Sequence, residues 1–164
     1  MKNTNKHISI LMADDDPDDR MLMQEALAEN NISNSIFFVE NGADLLDYLN
    51  KKGKYSNQVC PTPGVIFLDL NMPFIDGVKC LEEIRQNSRM NDIFIVMNTT
   101  TASHKEIDLS YDKGANLFLI KPNSFTELKK SIEAILKLDF KKLIQQRQRD
   151  RFVFNFSAFN GSFQ

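Results

Sequence analysis

Short apolar runs alternate along the chain with stretches in which apolar residues recur every three or four positions. Ile8-Ser9-Ile10-Leu11-Met12, Ile36 to Val39, Val65-Ile66-Phe67-Leu68, Ile93 to Met97 and Leu117 to Ile120 each have the length of a buried strand. Helical spacing follows in Leu22, Met23, Ala26 and Leu27, in Leu45, Leu46 and Leu49, and in Val78, Leu81 and Ile84. The last such pattern, Leu128, Ile132, Ile135 and Leu136, allows a helix that runs on through Leu143. Start signals stand where they should. Asp16 precedes Pro17, Asp18 and Asp19, Asn41 precedes the second helix, and Ser103 with Glu106 and Ser124 with Glu127 form capping boxes. Asn50 to Gly64, with Gly53, Pro61 and Pro63, reads as a loop. This alternation predicts an α/β fold: a doubly wound, five-stranded parallel sheet with helices on both faces.

Length and charge narrow the classes. One domain fits in 164 residues that are 42% hydrophobic and 26% charged, and two full ones do not. Lys and Arg number 20 against 22 Asp and Glu, a formal charge of −2, so no overall basic field would hold the protein on nucleic acid. Cys60 and Cys80 are too few for a disulfide framework, and no Cys/His cluster has zinc spacing. The expectation is a reduced, cytoplasmic protein. No apolar stretch approaches the ~20 residues of a membrane span, and Ile8 to Ala13 is too short for a signal-peptide core.

The candidate chemistry lies at the strand ends. Asp14 and Asp15 follow the first strand, Asp69 the third, Thr99 the fourth and Lys121 the fifth. In an open parallel sheet, ligands bind beyond the carboxyl ends of the strands. If the first, third, fourth and fifth strands are neighbours, these side chains converge. Three carboxylates repel one another, and a hard divalent cation relieves the repulsion; Mg²⁺ suits oxygen ligands and keeps positions for phosphoryl oxygens, and Mn²⁺ could substitute. A hydroxyl and an ammonium suit a group with negative oxygens, so Thr99 and Lys121 read as phosphoryl ligands. Asp69, on the middle strand, is the candidate nucleophile for an aspartyl-phosphate. Taken singly, each position has a plainer use in a turn or cap, and Asp16, Asp18 and Asp19 are expected to be only that.

The motifs at these positions resemble a known family, the receiver domains of two-component response regulators. Leu11-Met12-Ala13-Asp14-Asp15-Asp16, Phe67-Leu68-Asp69-Leu70-Asn71-Met72-Pro73 with Asp76-Gly77, Asn98-Thr99-Thr100 and Lys121-Pro122 match its four motifs in order over about residues 8 to 138. Thr99 lies 30 residues and Lys121 52 residues after Asp69, as in the family pattern. The resemblance implies the flavodoxin-like receiver topology and a phosphoaccepting Asp69. It also implies Mg²⁺ held by Asp15, Asp69 and the backbone carbonyl of Asn71, with Asp14 acting through water. Thr99 would bind the phosphoryl group in the active state, Lys121 would pair with it, the Lys121–Pro122 bond would be cis, and Phe118 would be the switch aromatic. Within the family, the long segment before the third strand, the Asn-Met-Pro turn and the two threonines look most like the stand-alone regulators that partner bacterial phytochromes and related histidine kinases. Asn98 and Phe94 depart from the apolar residue and proline usual there. Phe118 lacks a tyrosine's hydroxyl, so switching at that position would be steric.

Residues 1–138 are thus expected to form the receiver, and 139–164 an extension of the last helix plus an aromatic tail without an effector domain. These last 26 residues carry a local charge of +3 and six of the 13 phenylalanines. Phe152, Phe154 and Phe156 alternate at period two, as in a half-buried strand. The tail either packs on its own domain or adds an edge strand across a homodimer or against a kinase, with Arg147, Arg149 and Arg151 pairing with acids of the partner. The function expected is a single-domain response regulator that takes a phosphoryl group from a histidine kinase and signals by protein contact, without separate substrate turnover. A Mg²⁺-dependent aspartyl-phosphate phosphohydrolase is one rival, although Asn71 stands where such enzymes commonly have a second Asp. A phosphorylation-independent receiver-like binding module is another.

Overall fold

The five apolar runs all pair as parallel strands in the computed structural model, which describes residues 7–32, 35–100 and 103–154. The elements are β1 (Ile10–Ala13), α1 (Pro17–Glu29), β2 (Ile36–Val39), α2 (Gly42–Asn50), β3 (Val65–Leu68), α3 (Gly77–Gln86), β4 (Phe94–Thr99), α4 (His104–Asp112), β5 (Leu117–Ile120), α5 (Phe125–Leu136), α6 (Phe140–Gln145) and β6 (Val153–Phe154). Their order across the sheet is β2-β1-β3-β4-β5-β6. Side chains of Asp16, Asn41, Ser103 and Ser124 accept the backbone N–H of Asp18, Asp44, Glu106 and Glu127 and so start α1, α2, α4 and α5. Among the described residues no helix is long and apolar enough to cross a membrane.

Strand alternation divides the apolar residues between two cores. Leu11, Ile66, Leu68, Ile95, Met97 and Phe118 face one side, with Leu45 of α2, Leu81 and Ile84 of α3 and Ile107 of α4. Ile10, Met12, Val65, Phe67, Val96 and Leu117 face the other, with Met23 and Leu27 of α1 and Ile132 and Ile135 of α5. The central strands β1, β3 and β4 are buried throughout, as expected of strands covered on both faces.

The C-terminal segment differs from its expected form in three ways. The last long helix does not continue through Leu143. It ends at Leu136, and Asp139 accepts the N–H of Lys142 to cap a separate helix, α6. The break turns Phe140 onto the sheet, where its ring stacks on Phe94 at 4.2 Å. The sheet also has six strands, because Val153 and Phe154 pair with Phe118 and Leu119. Finally, Phe152 and Phe154 lie on opposite faces of the sheet, Phe152 against Phe118 and Tyr111, Phe154 in the core of α1 and α5. Period two fails there because Phe152 has helical backbone angles at the end of a short 3-10 turn. Two of the basic residues are likewise used at home: Arg147 donates to the carbonyls of Tyr111 and Ala115, and Arg149 pairs with Asp108. Phe156 lies outside the described residues.

Because Phe152 and Phe154 are both about 1% exposed, Phe152→Ala and Phe154→Ala should each lower stability by about 3–5 kcal/mol. Denaturant unfolding measures this; a loss under about 1 kcal/mol, the size expected for a surface change, would show that the segment adds nothing to the core.

Candidate functional site

Backbone pairing carries on just past the strand ends and fixes where each side chain of the site begins. Asp14 N donates to Val39 O, Asp69 N to Ala13 O, and Lys121 N to Thr99 O at 2.7 Å. Asp14 and Asp69 therefore flank the β1/β3 boundary, where the direction of crossover reverses and a cleft opens. The carboxylates of Asp14, Asp15 and Asp69 come within 4.8 Å of one another. Asp14 is fully buried, Asp69 is 8% exposed, and Asp15 faces solvent.

One ammonium serves this cluster. Lys121 Nζ donates to Asp14 Oδ2 at 2.8 Å and to Asp19 Oδ2 at 2.9 Å, and stands 3.7 Å from Asp69 Oδ2. Asp14 Oδ1 accepts from Asp16 N at 2.9 Å, Asp69 Oδ1 accepts from Asn71 N at 3.3 Å, and Arg20 donates to the carbonyl of Asp14 at 2.7 Å. The loop after Asp69 folds back tightly: Gly77 N donates to Leu70 O at 2.9 Å, and a Cβ on Gly77 would collide with the backbone of Asp69 and Leu70. At its tip Phe74 takes φ 69 and holds its ring 86% exposed, a left-handed conformation unusual for a non-glycine residue.

Burial governs the charges. It raises the pKa of Asp69 to about 6, aided by the negative charges of Asp14 and Asp15 and opposed by Lys121. Burial also raises that of Asp14, against the hydrogen bonds from Lys121 and Asp16. For Lys121 burial works downward, yet the hydrogen bonds to Asp14 and Asp19 prevail and hold its pKa at about 12. The site is thus two electrostatically costly carboxylates beside one firmly protonated amine. Three converging carboxylates, one of them open to solvent, fit a hard divalent cation with room for waters and phosphoryl oxygens.

The structure brings together Asp14, Asp15, Asp69 and Lys121 as the sequence predicts. Thr99, the last residue of β4, is buried beside them, and Phe118 lies one strand over, fully buried under Phe152. The Lys121–Pro122 bond, expected to be cis, is trans, since the described residues contain no cis peptide bond. Trans is the lower-energy isomer, and with it Lys121 already makes both its backbone bond to Thr99 and its contacts to the carboxylates. Asp19 was expected to serve only the helix start, as Asp16 does. It is instead a ligand of Lys121, and a single Asp in an acidic first turn gives no sign of which cation it will meet. Asn98 is the second surprise. It is buried, with no hydrogen-bond partner for Oδ1 among the described residues.

Residues 10–133 match the family described as the response regulator receiver domain. The response regulator Rcp1 of Synechocystis sp. is 32% identical over 126 residues, 77% of this chain and 84% of that protein. The crystal structure of the phosphorylated cyanobacterial phytochrome response regulator RcpA superposes with a TM-score of 0.70 at 31% identity, over 80% of this chain and 89% of that one. The Mn²⁺-bound form of Rcp1 gives a TM-score of 0.70 at 31% identity, over 78% and 91% of the two chains.

The raised pKa of Asp69 makes stability depend on pH in a definite direction. Its folded value, about 6, lies above the ordinary 3.8, so the folded state holds that proton more tightly. The stabilisation is present below about pH 4 and lost as pH rises through 6. In chelator at pH 7.5, Asp69→Asn should be more stable than the wild type by about 1–3 kcal/mol, a gap that narrows toward pH 4. Millimolar Mg²⁺ should raise the wild-type melting temperature in a saturable way. A variant no more stable than the wild type in chelator, or a melting temperature indifferent to Mg²⁺, would contradict this account of the carboxylates.

Proposed function

Because the chain belongs to the response regulator receiver family of two-component signalling, we propose that it accepts a phosphoryl group from a histidine kinase on Asp69, with Mg²⁺, and passes the signal on by protein contact in the cytoplasm. The observation that carries this reading is the setting of Asp69: a nearly buried carboxylate at the switch point of the sheet, 3.7 Å from the Lys121 ammonium and within 4.8 Å of the other two carboxylates. Asp15, Asp69 and the carbonyl of Asn71 would hold the cation, with Asp14 acting through water. Mn²⁺ as a substitute is supported by the Mn²⁺-bound form of Rcp1. A phytochrome-type kinase is supported by the similarity to RcpA.

In the transfer, an Asp69 carboxylate oxygen attacks the phosphorus of phosphohistidine in line. The P–N bond breaks, the imidazole leaves with the electron pair, and an acyl phosphate remains on Asp69. The cation supplies charge neutralisation on the phosphoryl oxygens when bound. Lys121 contributes the same from the protein side, and its pKa of about 12 keeps it charged at any physiological pH. Thr99 then reports the phosphoryl group by hydrogen-bonding one of its oxygens, and Phe118 repacks. The signal is a shift of population between two arrangements. The chain would turn over no separate substrate.

Incubation with acetyl phosphate and Mg²⁺, followed by mass mapping, should place one phosphoryl group on Asp69 and none on Asp69→Asn. Label on Asp14 or Asp15 instead, or none with metal demonstrably bound, would refute the reading. Lys121→Ala should slow labelling by about tenfold or more, the scale of one transition-state charge contact. Thr99→Ala should still accept phosphate but lose the phosphorylation-dependent change in near-ultraviolet dichroism or partner binding.

A further inference from the structure

Lys121 is divided between two carboxylates that differ sharply in what they would lose by giving it up. Asp14 is about 1% exposed at its side chain, and without the ammonium it would be a buried charge with no counterion. Asp19 is 27% exposed and is the third residue of α1, in the turn where unpaired backbone N–H groups and the helix dipole favour a carboxylate. It would be left without Lys121 but not without support. Beside the pair is a cavity of about 50 Å³ lined in part by Asp19, Asn98, Lys121 and Pro122. The cavity borders the Lys121–Asp19 contact, and Asn98, another of its lining residues, has a buried Oδ1 with no partner among the described residues.

Resting on the reading of Asp69 as phosphoacceptor, we propose that Asp19 is a positioning residue that holds Lys121 back from Asp69 in the resting protein and releases it when a phosphoryl group arrives. The exchange conserves the count of Lys121's anionic partners: the ammonium keeps Asp14, leaves Asp19 and takes a phosphoryl oxygen. Asp19 thereby competes with the transition state for the Lys121 ammonium, and the strength of that competition sets the rate at which Asp69 is loaded. The contact made with Asp19 exists in the ground state and is lost in the transition state, the opposite of a catalytic interaction. Weakening it raises the rate.

The test is the rate of Asp69 labelling by acetyl phosphate at saturating Mg²⁺, followed over a range of donor concentrations. Asp19→Asn should raise the maximal rate about threefold, the scale of one partly exposed ion pair, and leave the half-saturating donor concentration unchanged. Asp19→Glu, which keeps the charge, should return the rate to that of the wild type. An unchanged or slower maximal rate in Asp19→Asn overturns the proposal. So does a gain confined to the half-saturating concentration, because removing a charge that merely repels the donor would act there. Failure of the wild type to be labelled on Asp69 would be a failure of the phosphoacceptor reading itself, and is told apart by mass mapping in the same samples.

Discussion

The arrangement of this site follows from one constraint: the carboxylate of Asp14 is buried at the end of a central strand and must have a cation. Lys121 meets that need, and reaching Asp14 requires that β1 and the end of β5 be held in fixed relation through β3 and β4. The buried backbone ladder supplies the rigidity. The second buried carboxylate, Asp69, then lies within reach of the same ammonium without a hydrogen bond to it. A carboxylate that is desolvated, crowded by like charge and only partly compensated gains from any event that brings positive charge or spreads its own. Binding of the divalent cation proposed for the site would be such an event.

Much of this was legible in the residues. Strands β1, β3 and β4 announce themselves because burial on both faces demands unbroken apolar runs, and the caps of four helices announce themselves because an orphan N–H needs a short polar side chain. Asp14, Asp69, Thr99 and Lys121 could be found because parallel strands place their carboxyl ends on one edge, so position along the chain translates into position in space. The sites of failure have physical reasons. The end of α5 carries no glycine or proline; the turn there is made by Asp139, which caps α6, together with the stacking of Phe140 on Phe94. Phe152 follows a 3-10 turn whose backbone angles a residue pattern does not encode. Asp19 was unreadable because an acidic first turn satisfies the helix rule whether or not a lysine approaches.

The C-terminal segment changes what the sheet can do. Phe118, the aromatic proposed to move, is covered by Phe152 at a ring separation of 6.0 Å, and Tyr111 of α4 packs against that same ring at 5.2 Å. Arg147, in turn, lies over Tyr111 at 4.2 Å. Repacking of Phe118 therefore cannot be a private event of β5. It displaces a ring that belongs to the segment after α6, and the segment and α4 must adjust with it. At the far end of the sheet, Arg85 donates to the carbonyls of Gly114, Met90 and Ile93 and to Asn116, a clamp that ties the starts of β4 and β5 to α3.

Two residues of β6 also settle the heading of the chain. A receiver that stopped after α5 would leave its terminus at the amino ends of the strands, as far from Asp69 as the sheet allows. Because β6 runs parallel to β5, the backbone passes Phe154 travelling toward the carboxyl ends instead. At Phe154 the backbone is therefore directed toward the edge of the sheet that carries Asp14, Asp69 and Lys121, and not toward the opposite edge, where α5 ends.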